Sequence, residues 1–310
     1  MRPRPADSDA LRAQRRVLEL RARLNEAVRR FFRERDFLEV DTPVLLPANA
    51  PEAHIDALSA GPGWLRTSPE LAMKRLLAAG HERIFQLGPC FRAGEHGRWH
   101  HPEFTLLEWY RAGAGYLEIL ADTKALLDFV ARELRGTADF TWQGKPVSVA
   151  QELWEKFTVS QAFIQHAGWD PARKFDPDRF DLDLVTRVEP ALPADRPVVL
   201  IDYPAPLAAL ARRKPDDPLR AERWELYLGG VELANAYSEL TDPAEQRARF
   251  AEANALRQQR GAPAYPPDEA FLAALEHLPP SGGIALGLDR LLMILADADS
   301  LDGVLPFRNG

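Results

Sequence analysis

Cys90 is the only cysteine in the 310-residue chain. No intrachain disulfide can staple it, and the composition fits a reducing cytoplasm. Cys90 stands inside an apolar strand-like run, where a buried thiol is expected rather than a nucleophile. No run of about 18 apolar residues occurs, so no membrane-spanning helix is expected. The N-terminus lacks the apolar stretch of a signal peptide, and Asp7, Asp9, Glu19 and Glu26 do not suit an organelle transit peptide. There is no internal repeat and no low-complexity segment; the 26 prolines are scattered. An excess of basic charge is missing too. The net charge is −7 and the pI near 5.6, so the surface as a whole is not built to coat DNA or RNA. What remains is a globular composition, 46% hydrophobic, long enough to bury a sizeable core.

The most informative stretch runs from Ile84 to Arg111. Two apolar, strand-like runs flank a loop that carries Arg92, Glu95, His96, Arg98, His100 and His101. Side chains alternate along a strand, so Phe104, Leu106, Glu108 and Tyr110 share one face while Thr105, Leu107 and Trp109 share the other. A ring, a carboxylate and a phenol beside an arginine-rich loop suit an anion, a flat ring and a cation. An ordinary surface hairpin has no need of that face.

Ahead of this stretch, residues 8–34 read as an amphipathic helix. Val17, Leu20, Leu24, Val28 and Phe31 follow helical spacing, and arginines occupy the other faces as a solvated surface. Phe37 to Val40 is a short extended run, and Trp64 to Thr67 another. Ser68-Pro69-Glu70 has the residue types of a helix start for Leu71 to Ala79. Helices are also expected from Tyr116 to Leu134 and from Val159. Residues 170–197 are rich in Pro and Asp and give no clear periodicity. Val198 to Tyr203 reads as a buried strand.

Gly229-Gly230 separates two strand-like runs and signals a two-residue hairpin. In simple register Tyr227 faces Glu232 and Glu225 faces Ala234. Glu225 and Glu232 then share a face as diagonal neighbours roughly 6–8 Å apart. They form either a solvent-facing acidic pair or a pair with a cation between them, for which Mg²⁺ is suited. Simple alternation puts Asn235, Tyr237 and Glu239 on the opposite face, so a shared pocket requires a bulge or kink near Ala234. Further on, Ser281 to Gly287 is a small-residue strand entering a helix, with Gly282, Gly283 and Gly287 permitting close approach. Arg290 falls in that helix's first turn, against the helix dipole, which points to a nearby anion or to pairing with an acid such as Asp289.

Three of these segments resemble the signature motifs of class II aminoacyl-tRNA synthetases. The helix and strand through Asp41-Thr42-Pro43 resemble the dimer-forming first motif, residues 84–111 the second and residues 281–296 the third. Glu232-Leu233-Ala234-Asn235 followed by Glu239, and the run Val199 to Pro204, are similar to the lysine branch. Lysyl-tRNA synthetases carry an anticodon-binding domain before the first motif, whereas here only a helix-length segment precedes it. That combination resembles the elongation factor P lysyltransferase family. The resemblance implies one α+β catalytic domain over 1–310, a mostly antiparallel sheet of about six to seven strands flanked by helices, and a cytoplasmic homodimer without anticodon recognition. It also implies ATP and Mg²⁺, activation of (R)-β-lysine or lysine, and transfer to a lysine of elongation factor P.

Position by position, the resemblance assigns amino-acid binding to Ser68, Pro69, Glu70, Glu108, Tyr110, Asn235, Tyr237, Glu239 and Ala285. It assigns ATP to Arg92, Ala93, Gly94, Glu95, His100, His101, Phe104, Glu232, Leu233, Gly287 and Arg290. Arg92 and Arg290 are the expected catalytic cations, and Glu225 and Glu232 the metal carboxylates. The family's usual Arg-Asn-Glu is Arg92-Ala93-Gly94 here, so Glu95 is expected to take over the reading of adenine. His101 replaces a common asparagine, and Ala285 a common glycine, where an added methyl would reshape the amino-acid pocket. Two other readings stay open: a related ligase with a different amine acceptor, and a paralogue that senses amino acids without catalysis.

Overall fold

The structure is a computed structural model, and it describes residues 11, 12 and 14–307. The first helical residues expected from 8 onward therefore lie partly outside the described residues. Helix α1 (Arg15–Arg33) buries Leu24, Ala27, Val28, Phe31 and Phe32, the stripe its spacing calls for. It is followed by strands β1 (Leu38–Glu39), β2 (Leu45–Leu46), β3 (Ser59–Ala60) and β4 (Gly63–Leu65) and by helix α2 (Glu70–Ala78). The long pair β5 (Arg83–Phe91) and β6 (Glu103–Ala112) precedes helix α3 (Tyr116–Arg135). A small hairpin, β7 (Asp139–Trp142) and β8 (Lys145–Ser148), leads to β9 (Glu155–Thr158) and α4 (Val159–Ala167). Then come α5 (Pro177–Asp183), β10 (Val198–Pro204), β11 (Arg220–Leu228) and β12 (Val231–Ser238). Helices α6 (Pro243–Gln259) and α7 (Glu269–Ala274), strand β13 (Ser281–Gly287) and helix α8 (Leu288–Leu295) complete the order.

Eight strands form one sheet in the order β1-β5-β6-β13-β12-β11-β10-β9. The interior pairs are antiparallel, and the two edge pairs, β1 with β5 and β9 with β10, are parallel. The sheet is thus wider than the six to seven strands expected. The added strand is β9, whose Glu155-Lys156-Phe157-Thr158 shows no apolar run and which is ordered by pairing with buried β10. The unreadable segment holds α5, started by Asp176 accepting from the Arg179 amide at 3.1 Å with Pro177 in the first turn. It continues through a π-helical turn, Leu184–Val188, into a short 3₁₀ turn.

Strand β6 is regular, and its two faces differ as its alternation requires. Leu107 and Trp109 are fully buried in the core with Phe85, Trp224, Leu226 and Leu286, beneath α1, α3 and α8. Its opposite face carries Phe104, Leu106, Glu108 and Tyr110 into a cleft. The hairpin turn is built from Gly229 (φ 62°) and Gly230 (φ 79°), the left-handed pair that a type I′ turn needs. A Cβ at Gly229 would lie 2.1 Å from the Trp142 ring, so the close approach also demands glycine.

The pairing of β11 with β12 slips once. Tyr227 faces Glu232, but Leu226 faces Ala234 and Glu225 faces Asn235. The partner of Glu225 is therefore Asn235, not Ala234, because Leu233 is an extra residue bulged out of the ladder and buried in the core. The bulge lies one residue before the position expected. It reverses the parity, so Glu232, Asn235 and Tyr237 all reach the cleft.

Candidate active site

The cleft over the middle of the sheet encloses about 360 Å³. Its floor is cross-strand pairing made visible. Glu108 of β6 lies opposite Ala285 of β13, and Ala285 opposite Asn235 of β12. The Ala285 methyl therefore sits between the two polar groups.

One end is acidic and buried. Glu108, 1% exposed, accepts from the Ser68 hydroxyl at 2.6 Å and the Tyr110 hydroxyl at 3.0 Å. Burial, with nearby Glu70 adding to it, pushes the Glu108 carboxyl up to about 8, despite the two hydroxyl donors. Ser68 also accepts from the Glu70 amide at 2.9 Å, just before α2, so its oxygen serves both the helix start and Glu108. Lys74, one turn further along α2, is fully buried. Its ammonium lies 2.6 Å from Glu70 Oε1 and 2.5 Å from Glu239 Oε2. Burial alone would lower the lysine, but Glu239 and Glu70 outweigh it and its pKa is raised. Burial pushes Glu239 up to about 7 even with Lys74 pulling it down.

Glu239 does not line the cleft. It lies one layer behind, where bare Gly283 makes room: a Cβ there would be 2.2 Å from the Tyr110 ring and 2.4 Å from Glu239 Oε1. At Gly282 the approaching body is likewise the protein's own, Ile119 and Gly115, whereas at Gly287 a Cβ would make ordinary contacts.

The other end is cationic. Arg92 stands 5.0 Å over the Phe104 ring and 3.6 Å from Glu95, and its buried Nε finds no hydrogen-bond partner among the described residues. Arg290 donates to the Trp99 carbonyl at 3.1 Å, the Glu232 carbonyl at 2.7 Å and His100 Nε2 at 2.8 Å. Accepting that bond requires His100 to be neutral, and burial, then Arg290, lower its pKa. Asp289 does not pair with Arg290. It takes Arg21 of α1 at 2.6 Å and the Thr105 amide at 2.6 Å.

Between the two ends lie the paired acids. Glu225 Oε2 accepts from the Tyr203 hydroxyl at 2.5 Å and the Tyr227 hydroxyl at 2.9 Å, and Oε1 from Arg223 at 2.5 Å. That leaves a lone pair on Oε1. Glu232 faces the cleft with Arg290 3.6 Å away. Burial, then Glu225, raise its pKa, against the pull of Arg290 and Arg92. Among the described residues no group of three or more metal-ligating side chains is gathered. Two carboxylates nevertheless fit Mg²⁺, which keeps waters and substrate phosphate oxygens in its remaining positions.

Most of the expected site residues therefore meet in one cleft. Exceptions are Glu239, already described, and Pro69, Ala93 and Gly94. Pro69 faces a neighbouring cavity, the Ala93 amide is turned to the Asp56 carbonyl at 2.6 Å, and Gly94 forms a left-handed turn at φ 77°. The sequence reading missed Lys74, Arg223 and Glu52, all but the first on the cleft wall. Lys74 had a signal: it shares the buried stripe of α2 with Met73 and Leu77 and stands four residues after Glu70. Glu52, in an irregular loop, had none.

The family model for class II tRNA synthetases (D, K and N) matches residues 4–309. Among similar proteins, the elongation factor P–(R)-β-lysine ligase of Vibrio cholerae serotype O1 is 40% identical over 307 residues, covering 94% of each chain. The ligase of the same name from Edwardsiella ictaluri is 39% identical over 320 residues, and that from Hamiltonella defensa 37%, each alignment covering 93% of both chains.

Proposed function

We propose, from the premise that this chain belongs to the class II tRNA synthetase (D, K and N) family, that it is an elongation factor P–(R)-β-lysine ligase. It activates a diamino acid with ATP and passes it to a lysine side chain of elongation factor P, as one catalytic unit in a cytoplasmic homodimer. The observation that carries this reading is the two-ended cleft: a buried carboxylate held by Ser68 and Tyr110 at one end, two guanidinium groups at the other. A guest with a distal ammonium and a reacting carboxylate, next to a polyphosphate, answers both ends.

Glu108 and Tyr110 receive the distal ammonium, with Glu239 Oε1 the buried acid behind them, and Glu70 the second amino group. A charged hydrogen bond of this kind contributes about 1.5–3 kcal/mol, enough to reject uncharged amino acids. The guest's carboxylate oxygen attacks the α-phosphorus of ATP, the α–β bridging bond breaks, and pyrophosphate leaves with the electron pair. Arg92 and Arg290 stabilise the charge on the phosphates, while Phe104 offers its ring to adenine and Glu95 and His101 its polar edge. Glu225 and Glu232 would hold Mg²⁺, which supplies further neutralisation of phosphate charge. Exposed Leu38 on the edge strand β1 is apolar surface available for a dimer.

The test is ATP–pyrophosphate exchange with (R)-β-lysine and L-lysine, followed by label transfer to purified elongation factor P. Exchange and transfer support the reading. Exchange with label going to another amine moves the acceptor, and no exchange with any cationic amino acid leaves a sensor.

A further inference from the structure

A second cavity of about 300 Å³ abuts the cleft, and three side chains, Glu52, Ser68 and Glu70, face both. Away from those three its wall is largely aliphatic, with Leu45, Leu46 and Ala48 on one side and Leu71 and Ala72 of α2 on the other. Of the shared acids, Glu70 is bonded to Lys74. The Glu52 carboxylate is different. Its backbone carbonyl is held by Arg257 at 2.8 Å, but the carboxylate takes no hydrogen bond or ion pair from the described residues. It lies in the field of Arg92, the cation expected beside the guest's carboxylate.

We propose that the second cavity is the port for the acceptor amine, and that Glu52 takes the proton the amine must lose. This rests on the ligase reading above. A lysine side chain is an aliphatic stem with a cationic head, and it fits a passage with aliphatic walls that ends on a free carboxylate. The amine is protonated at neutral pH and must be deprotonated before it can attack. Its nitrogen then adds to the carbonyl carbon of the aminoacyl adenylate. The C–N bond forms, the bond from that carbon to the phosphate oxygen breaks, and AMP leaves with the electron pair. The ammonium's proton passes to the Glu52 carboxylate before attack and on to water, and the second proton leaves the nitrogen as the tetrahedral adduct collapses, carried off by the departing AMP phosphate and water. Burial, opposed by Arg92 and reinforced by Glu70, raises the Glu52 pKa, a direction that favours taking up a proton.

The experiment compares the full chain with Glu52→Gln and Ala72→Phe in three assays. These are diamino-acid-dependent pyrophosphate exchange, hydroxamate formation with hydroxylamine, and transfer to elongation factor P. Hydroxylamine is small and neutral, so it needs neither port nor base. The expected result is a 10- to 100-fold fall in the ratio of protein transfer to exchange for both variants, with the hydroxamate ratio kept. For Glu52→Gln the deficit shrinks as pH rises from 7 to 9, because the amine then deprotonates in water. Transfer ratios equal to the parent's, or hydroxamate and protein transfer falling together, overturn the port. Absence of exchange in the parent itself removes the ligase reading and the port with it.

Discussion

Replacing Lys74 with methionine tests the electrostatics of the acidic end directly. The lysine is 1% exposed and Glu239 0%, so their pair at 2.5 Å is closed to water, while Glu70, 12% exposed, pairs with the same lysine at 2.6 Å from the cleft wall. Removing one partner of a buried pair leaves an uncompensated charge and costs about 3–5 kcal/mol. For a chain of 310 residues that is a fall in Tm of roughly 5–8 °C. The loss has a pH signature. Burial holds the Glu239 carboxyl up to about 7 with Lys74 present, above the ordinary carboxylate range, so the native state binds the extra proton and stability falls as pH rises through that window. Without Lys74 its pKa climbs further, so the falling limb extends to higher pH and the gap between Lys74→Met and the parent widens from pH 7 to 9. Adding Glu239→Gln removes the unpaired charge and recovers most of the stability. Thermal or urea unfolding from pH 6 to 9 gives the answer. A loss below 1 kcal/mol, or one independent of pH, refutes the buried pair. A double variant no better than the single one shows that shape rather than charge was lost.

The Glu108 carboxyl at about 8 must release its proton to receive an ammonium, so affinity for the diamino acid strengthens as pH rises from 6 to 8 and levels off above. Calorimetry in buffers of different ionisation enthalpy detects that proton release, and affinity that weakens over the same range contradicts it. Gly283→Ala drives a methyl into Tyr110 and Glu239, an overpacking cost of about 1–3 kcal/mol, and raises KM for the amino acid far more than for ATP. Arg290→Lys cannot hold the Trp99 and Glu232 carbonyls and His100 at once, and exchange should fall by about 10²–10³-fold, as on removing one donor to developing charge. Cys90 is buried with its thiol pushed up to about 12, so it stays unmodified by iodoacetamide at pH 8 until the chain unfolds.

The sequence was legible wherever period and chemistry coincided. Alternation along β6 sorted Glu108 and Tyr110 from Leu107 and Trp109 without error, since both faces of that strand are used and a slip would bury the acid in the core. Gly229-Gly230 fixed the hairpin, because both glycines adopt left-handed conformations. Loops and edges were not legible. Strand β9 borrows its order from β10, and α5, at seven residues, is too short to show a helical period. Glu52 lies on an irregular loop, where side-chain direction depends on tertiary contacts such as Arg257 gripping the backbone.

The β12 bulge shows how far a parity argument reaches. Strict alternation would send Asn235 and Tyr237 into the core whenever Glu232 points to the cleft, leaving buried polar groups unsatisfied at a cost of about 1–3 kcal/mol each. Inserting Leu233 as the extra residue buries an apolar side chain in their place. It also frees Asn235 to accept from Arg223 at 3.1 Å and donate to Tyr237 at 3.0 Å. The same Arg223 donates to Glu225 at 2.5 Å. One irregularity thus links the amino-acid end of the cleft to the acid pair between its ends. Leu233→Asp, which places a charge in the core position, should release both: loss of stability accompanied by loss of diamino-acid and nucleotide binding together. If either ligand still bound normally in the folded fraction, the bulge would not be what brings the two ends into one site.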